Sequence, residues 1–268
     1  MSLLKEIIAT EIFDINLKGG TTKPFLVSCD DGNQYILKIF KKIHAQQRCY
    51  TGAEICAYLL AKEFSLSIPD GALITIPPPL IALYKKSNMS LYNQLMSKDF
   101  TKPCFGSLYL GPLPIHSPAL LKKHLELHEL ETIYAFDTLI LNEDRKKIKP
   151  NILKSQDHYF LIDHDKAFEG HKHNITLFKV HNQWVFLLNH IFYEILQKEW
   201  KKENNSVNFE TFEEYLRLLN LGVIKKQVER LEQLNYSVEE CYDWLSYCDY
   251  IKKNSTIFVA LLKNSIRS

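Results

Sequence analysis

Two carboxylates and an amide stand at the turns of one stretch of the chain, and their types and spacing could serve phosphoryl transfer. Asp144 follows an apolar helical segment, Asn151 precedes a short apolar strand, and Asp163 follows a second one. Such transfer needs a carboxylate that orients or deprotonates the attacking hydroxyl. It also needs an amide and a second carboxylate that hold Mg²⁺ on the phosphates of ATP. These three residues are therefore the candidates for that chemistry.

A β-hairpin is predicted to position these polar residues. Residues 136–168 read FDTLILNEDRKKIKPNILKSQDHYFLIDHDKAF. The apolar helical segment is followed by a polar turn, the apolar pair Ile152 and Leu153, and a second apolar strand at 159–162. Since the apolar residues fall in strands and the polar ones in turns, the hairpin can be buried while its carboxylates stay accessible.

A lysine within an apolar strand is the next candidate. Residues 11–40 predict a small antiparallel sheet, with a hairpin turn at 30–33 and a return strand at 35–40. Lys38 stands among apolar neighbours in the return strand, where an ammonium group is unfavourable unless it meets an anion. Taken alone, an edge-strand lysine that faces water is the simpler interpretation.

The elements around Lys38 favour a functional interpretation. The preceding turn is rich in glycine and threonine, which could bring N–H groups and hydroxyls close to a phosphate. Its candidate residues are Gly19, Gly20, Thr21 and Thr22. A helix is predicted at 51–64 with Glu54 in its first turn, where the helix dipole favours a carboxylate whatever its role. Glu54 could also pair with Lys38, as the helix glutamate pairs with the phosphate-binding lysine of kinases.

The rest of the chain is predicted to be mostly helical. Three consecutive prolines at 77–79 are interpreted as a stiff loop, and a strand is predicted at 105–110. The last third has apolar residues at three- and four-residue intervals, which indicates helices. These helices are predicted at 184–200, 209–219, 224–234 and 238–262.

Composition narrows the class of protein. The 268 residues are 46% hydrophobic and carry a formal net charge of +2, so we expect a substantial core and no nucleic-acid partner. No stretch approaches the ~18 uninterrupted apolar residues of a membrane span. The six cysteines include no CxxC pair, which indicates free thiols in a reducing compartment. We therefore expect a cytoplasmic protein.

In order along the chain, several of these segments resemble the HipA-like kinases, bacterial relatives of the protein-kinase and phosphatidylinositol-kinase fold. The resemblance is to their small single-domain branch, and it spans roughly residues 15 to 170. The segments that carry it are GGTTKPFLVSCDDGNQYILK, AEICAYLLA, FGSLYL, FDTLILNEDR, PNIL and LIDHDKAF. It implies a two-lobed α+β fold, with a small antiparallel β lobe at 1–100 and a mainly helical lobe at 101–268 in one kinase domain.

The resemblance also implies ATP and Mg²⁺ as cofactors and a role for each candidate. Lys38 would contact the α and β phosphates with support from Glu54, Asp144 would be the catalytic base, and Asn151 and Asp163 would hold Mg²⁺. One position departs from the family pattern. Many relatives carry the amide five residues after the catalytic aspartate, where this chain has Lys149, so Asn151 is preferred because it directly precedes the apolar pair.

The family's role leads us to expect transfer of phosphate to a Ser/Thr hydroxyl of a protein. In the toxin members this protein is a translation factor or an aminoacyl-tRNA synthetase, and an antitoxin is the regulator. Thr21 and Thr22 lie where some toxins carry autophosphorylated serines, so we predict modification there. Two alternatives stay open. One is a small-molecule or phosphoinositide-type lipid kinase, which the basic group Lys146, Lys147, Lys149 and Lys154 would suit, and the other is a nucleotide-binding pseudokinase.

Overall fold

A computed structural model of the protein describes residues 2–13, 24–39, 49–98, 100–114, 125–155, 158–202 and 206–267. Its strands are β1 (Lys5–Phe13), β2 (Phe25–Cys29), β3 (Gln34–Leu37), β4 (Gly71–Thr75), β5 (Cys104–Leu108), β6 (Ile152–Ser155) and β7 (His158–Leu161). Its helices are α1 (Tyr50–Glu63), α2 (Pro78–Ser87), α3 (Met89–Met96), α4 (Leu127–Leu139), α5 (His171–His181), α6 (Tyr193–Lys202), α7 (Glu210–Leu218), α8 (Leu221–Gln233), α9 (Glu239–Lys253) and α10 (Ser255–Arg267).

The first five strands close into a barrel, where the sequence predicted a simple antiparallel sheet. Their order is β1-β2-β3-β5-β4. The β1–β2, β2–β3, β3–β5 and β4–β5 pairs are antiparallel, whereas β1 and β4 pair in parallel, with Lys5 opposite Ala72. Closure leaves no sheet edge exposed among these strands. Strand β5 belongs to this barrel, and the division of the chain into lobes at residue 100 stays a prediction.

Two apolar cores hold the molecule together. One fills the barrel, with Val27, Tyr35 and Leu37 almost completely buried. The other joins α1 to the helical part of the chain. The inner residues of α1 are buried throughout, so this helix connects the barrel to the helices and fixes where Glu54 lies. Burial of this much apolar surface is the main stabilising term for both parts.

Helix α4 leads into the turn that carries Asp144. It is buried at every position from Leu130 to Leu139, and the Tyr247 hydroxyl donates to Leu139 O at 2.6 Å. A capping box starts it, with Glu126 N donating to Glu129 at 2.8 Å. A helix packed on all sides cannot shift easily, so the turn after it has a fixed position.

Three local predictions were wrong. The proline run does not form a loop, because Pro78 begins α2, and proline suits the first helical turn, where its missing N–H is not needed. The predicted helix 238–262 is interrupted at Asn254, between α9 and α10. The helix predicted at 184–200 begins only at Tyr193, as α6. Fold class and lobe content agree otherwise with the sequence prediction.

A buried carboxylate on α4 gives a pH-dependent prediction. Glu131 accepts hydrogen bonds from Asn208 N (3.2 Å) and Phe209 N (2.9 Å), and burial raises its pKa from 4.5 to about 7. The folded state therefore holds a proton that the unfolded chain releases above about pH 4.5. The stability that this group contributes is full below that pH and is lost as the pH rises through 7, up to about 3 kcal/mol.

The variant Glu131→Gln removes the titrating carboxyl group and keeps the shape of the side chain. We expect the unfolding free energy of the native chain, relative to the variant, to fall between pH 4.5 and 7. Urea unfolding at several pH values measures it, and every other titrating group cancels in the difference. Parallel stability profiles for the two chains would contradict the prediction.

Candidate active site

The hairpin of β6 and β7 brings Asn151 and Asp163 to the same end. The two strands pair antiparallel with Ile152 opposite Leu161, and Ile162 N donates to Asn151 O at 3.0 Å. Asn151 and Asp163 have φ values of 49° and 67°. This left-handed conformation is uncommon for residues other than glycine, and asparagine and aspartate adopt it more readily than most. Both residues are therefore held in local conformations that ordinary strand residues avoid.

Lys38 reaches this end of the hairpin from the barrel. It follows β3 directly, and its Nζ forms an ion pair with Asp163 Oδ1. The same Nζ lies 3.4 Å from Glu54 Oε2, which also accepts a hydrogen bond from His164 N at 3.2 Å. The predicted Lys38–Glu54 pair is thus present in the structure. Barrel, α1 and hairpin meet at this ion-pair group.

The charges in this group favour its ionised lysine and aspartate. Burial alone would lower the pKa of Lys38, but the charges of Glu54 and Asp163 outweigh it and hold that pKa above its ordinary value. Burial alone would raise the pKa of Asp163, but Lys38 and Lys149 hold it well below its usual range. Burial raises the pKa of Glu54 to about 7, against the effect of Lys38. A permanently charged lysine therefore faces a permanently charged aspartate.

Asp144 is linked to Lys38 through Lys149 and Asp163. Lys149 Nζ is 2.6 Å from Asp144 Oδ2 and 3.1 Å from Asp163 Oδ2. Lys166 Nζ is 3.7 Å from Asp144 Oδ1. Asn151 Nδ2 donates to the backbone oxygen of Asp144 at 3.4 Å. The three residues predicted from the hairpin therefore surround one space, with Lys149 in it.

The donor set near Lys38 fits a divalent ion. Among the described residues, Glu54, Asp163 and Asp165 each offer a carboxylate oxygen, and these oxygens lie within 4.8 Å of one another. Hard divalent ions such as Mg²⁺ prefer oxygen ligands of this kind. Asp163 is the predicted metal ligand in this set, Asp165 was not predicted, and the assignment of Asn151 as a ligand stays a prediction.

A buried ion-pair network holds the turn that carries Asp144. Arg145 is fully buried, and its Nε donates to Asp137 Oδ2 at 2.5 Å. Its Nη1 donates to Asn151 O at 2.7 Å, and its Nη2 lies 2.9 Å from His164 Nε2. Burial alone would raise the pKa of Asp137, but Arg145 holds it below its usual range. One guanidinium therefore ties α4 to the residues that precede β6 and follow β7, at one end of the hairpin.

Asp137 receives two further hydrogen bonds. Asn142 Nδ2 donates to its Oδ1 at 2.9 Å, and His190 Nε2 lies 2.9 Å from its Oδ2. The sequence pattern did not reveal this network or the place of Asp165 in the site. One signal was available: Asp137 is a charged residue within the apolar run FDTLIL, and a buried carboxylate needs a partner.

The remaining predictions on this site have different outcomes. Gly19, Gly20, Thr21 and Thr22 lie outside the described residues. The four lysines predicted as a basic group do not form one free patch, because Lys147 pairs with Glu194 at 2.5 Å and Lys154 is buried. A cavity of about 220 Å³ opens beside the turn, lined by residues on either side of Asp144 and by 186–190.

The described helices include none that is both long and apolar enough to span a membrane.

The barrel, the helical lobe and the ion-paired site of Lys38, Asp163 and Asp144 define a phosphotransferase of the kinase type. The sequence model of the HipA-like kinases matches residues 9–250, and the chain belongs to that family. No curated protein shows significant similarity to the sequence.

A solved structure supports the kinase fold. The crystal structure of the Helicobacter pylori proinflammatory kinase CtkA matches with a TM-score of 0.53 and 12% identity, over 99% of each chain. Two structures of the Golgi casein kinase, one of them with Mn/ADP bound, match with TM-scores of 0.49 and 0.45 and 13% identity. They cover 98% and 99% of this chain and 73% of their own. At these identities the likeness to CtkA shows a shared kinase fold.

Proposed function

We propose that the protein is an ATP- and Mg²⁺-dependent kinase that transfers the γ-phosphate to a Ser/Thr hydroxyl of a protein. The observation that carries the proposal is the chain of ion pairs in which Lys38 contacts Asp163 and Lys149 links Asp163 to Asp144. Phosphoryl transfer depends on positioning and on neutralising charge, and it requires little covalent chemistry from the protein. A lysine, a metal-binding carboxylate and a second carboxylate meet those needs.

Each residue has a separate task in this mechanism. Lys38, held in place by Glu54, binds phosphate oxygens. Asp163 and its neighbouring carboxylates hold the divalent ion, which supplies charge neutralisation on the phosphates when bound. Asp144 orients the acceptor hydroxyl and accepts its proton. Arg145 takes no part in the reaction, and it keeps α4 and the hairpin in the arrangement that these tasks require.

A protein acceptor is favoured over a lipid or a small molecule. The lysines that would suit a phosphorylated head group are largely engaged, since Lys149 pairs with Asp144 and Lys147 pairs with Glu194. The cavity beside the catalytic turn is lined in part by Phe186, Leu187 and Leu188. We propose that these apolar side chains take the residue next to an acceptor serine or threonine.

We further propose a cytoplasmic setting, with a translation factor or an aminoacyl-tRNA synthetase as the acceptor and an antitoxin-like protein as the regulator. The six cysteines all lie in the described part of the chain and form no disulfide bond with one another, which agrees with a reducing compartment. The identity of the acceptor comes from the family's role.

Transfer from γ-labelled ATP tests the proposal. The native chain, Asp144→Asn and Asp163→Ala are each incubated with Mg²⁺ and a lysate of the source cells, which is then separated into protein, lipid and small-molecule fractions. We expect label in a protein band with the native chain alone. Label in the lipid or small-molecule fraction would assign the other acceptor class. Nucleotide binding without label in any fraction would identify a pseudokinase.

A further inference from the structure

Lys149 occupies the space between the two catalytic-site aspartates. Its Nζ lies 2.6 Å from Asp144 Oδ2 and 3.1 Å from Asp163 Oδ2. The other oxygen of Asp163, Oδ1, pairs with Lys38. Both oxygens of Asp163 therefore contact an ammonium group, and one of these groups stands where the aspartates face each other.

The backbone aims Lys149 into this space. Lys146 N donates to Lys149 O at 3.0 Å, and Lys149 N donates to Lys146 O at 3.1 Å, which closes a tight turn. Ile148 at the tip of the turn is 94% exposed, so the turn directs its apolar side chain to solvent and its lysine inward. The turn thus holds the ammonium group of Lys149 between the two aspartates.

Kinases usually hold two divalent ions at this place, one of them through an amide five residues after the catalytic aspartate. In this chain that position is Lys149, and the amide predicted to stand in for it, Asn151, donates a hydrogen bond from its Nδ2 to the backbone oxygen of Asp144. A second divalent ion between Asp144 and Asp163 would lie within a few ångströms of the ammonium, where like charges repel strongly. Lys38 also contacts the carboxylates of Glu54 and Asp163, but in the proposed mechanism it binds phosphate oxygens. The group of Glu54, Asp163 and Asp165 therefore still offers a place for one ion on the other side of Asp163.

We propose that Lys149 is a resident cation that takes the place of one divalent ion, so that the nucleotide binds with a single divalent ion. The proposal rests on the proposed function and deepens it. Lys149 is a positioning residue that acts through the two aspartates. Its ammonium group supplies the positive charge that the second divalent ion supplies in kinases with two ions. The lysine at this position, which departs from the family pattern, would then replace a bound divalent ion with a side-chain ammonium group.

Counting bound Mn²⁺ tests the proposal without any reaction. Electron paramagnetic resonance measures free Mn²⁺ while the protein, saturated with a non-hydrolysable ATP analogue, is titrated. We expect one Mn²⁺ per complex for the native chain and for Lys149→Arg, which keeps the charge. We expect two for Lys149→Asn, which restores the amide. Lys147→Asn is the matched control, since Lys147 pairs with Glu194 outside the site, and it should keep one.

Two bound ions in the native chain, or one in a folded Lys149→Asn, would overturn the inference while leaving the proposed function in place. Thermal unfolding shows whether Lys149→Asn is folded, and if it is not, the native count decides alone. A native chain that does not bind the analogue at all would overturn the inference and the proposed function together.

Discussion

Replacing Asp163 with alanine is expected to abolish phosphate transfer and to weaken nucleotide binding in the presence of divalent ions. Asp163 is the partner of Lys38 and a member of the only carboxylate group found among the described residues that could hold an ion. Its loss removes a metal ligand and leaves Lys38 without its nearest counter-charge. Groups that stabilise charge during transfer contribute rate factors of roughly 10³ or more, so we expect a loss of at least that size.

Asp144→Asn is the matched comparison for this prediction. The amide has the same shape but cannot accept a proton, so transfer should fall strongly while binding of the ATP analogue stays within a few-fold of native. Isothermal titration calorimetry gives the binding, and label transfer gives the rate. Equal loss of nucleotide binding in both variants would contradict the separate roles of the two aspartates.

Arg145→Met is expected to lower the unfolding free energy by about 3–5 kcal/mol, the cost of leaving a buried charge without its partner. The guanidinium and Asp137 are both fully buried, and the variant leaves Asp137 with neutral donors only. It also removes the hydrogen bond to Asn151 O. The catalytic turn and the hairpin should therefore loosen as the fold weakens.

Urea unfolding measures this loss, with Arg217→Met as the control. Arg217 pairs with Glu213 at 2.5 Å on a helix surface, and its side chain is 59% exposed. Exposed pairs of this kind contribute about 0–1 kcal/mol, so the control should stay close to native. Similar losses in the two variants would show that the buried network does not hold the site together.

The polar positions of the site were predictable because they depend on local pattern. Asn151 and Asp163 flank short apolar strands, and their alternation with apolar residues places them at the end of a hairpin whatever the rest of the chain does. Lys38 and Glu54 were identified as a pair from the order of strand and helix, and the structure places them 3.4 Å apart. Short-range rules are sufficient for such features.

Barrel closure was not predictable in the same way. The antiparallel hairpin of β2 and β3 is local, but closing the barrel needs β1 to pair in parallel with β4, more than sixty positions away. Nothing in the alternation of either strand specifies that partner. The break at Asn254 and the helical start at Pro78 likewise depend on packing and on capping, which override the apolar periodicity.

The side chains that complete the site were missed for a similar reason. Asp165 lies two residues from Asp163, and Lys149 was noted only as a departure from the family pattern and a member of a basic group. Their residue types alone do not show whether they face the site or the solvent. The Arg145–Asp137 pair joins residues eight positions apart that have opposite charges. Only the turn after α4 brings them together in the interior, so their role appears once the three-dimensional arrangement is known.

The most direct test of the proposed nucleotide and metal site is the position of Mn²⁺ in crystals of the native chain with a non-hydrolysable ATP analogue. Anomalous scattering at the manganese edge locates the ion without any assumption about the reaction. We expect an ion bound by Asp163, with phosphate oxygens in contact with Lys38 and the terminal phosphate facing Asp144. An analogue and ion bound elsewhere, with Lys38 still paired to Asp163 and no phosphate at this site, would contradict the proposed site.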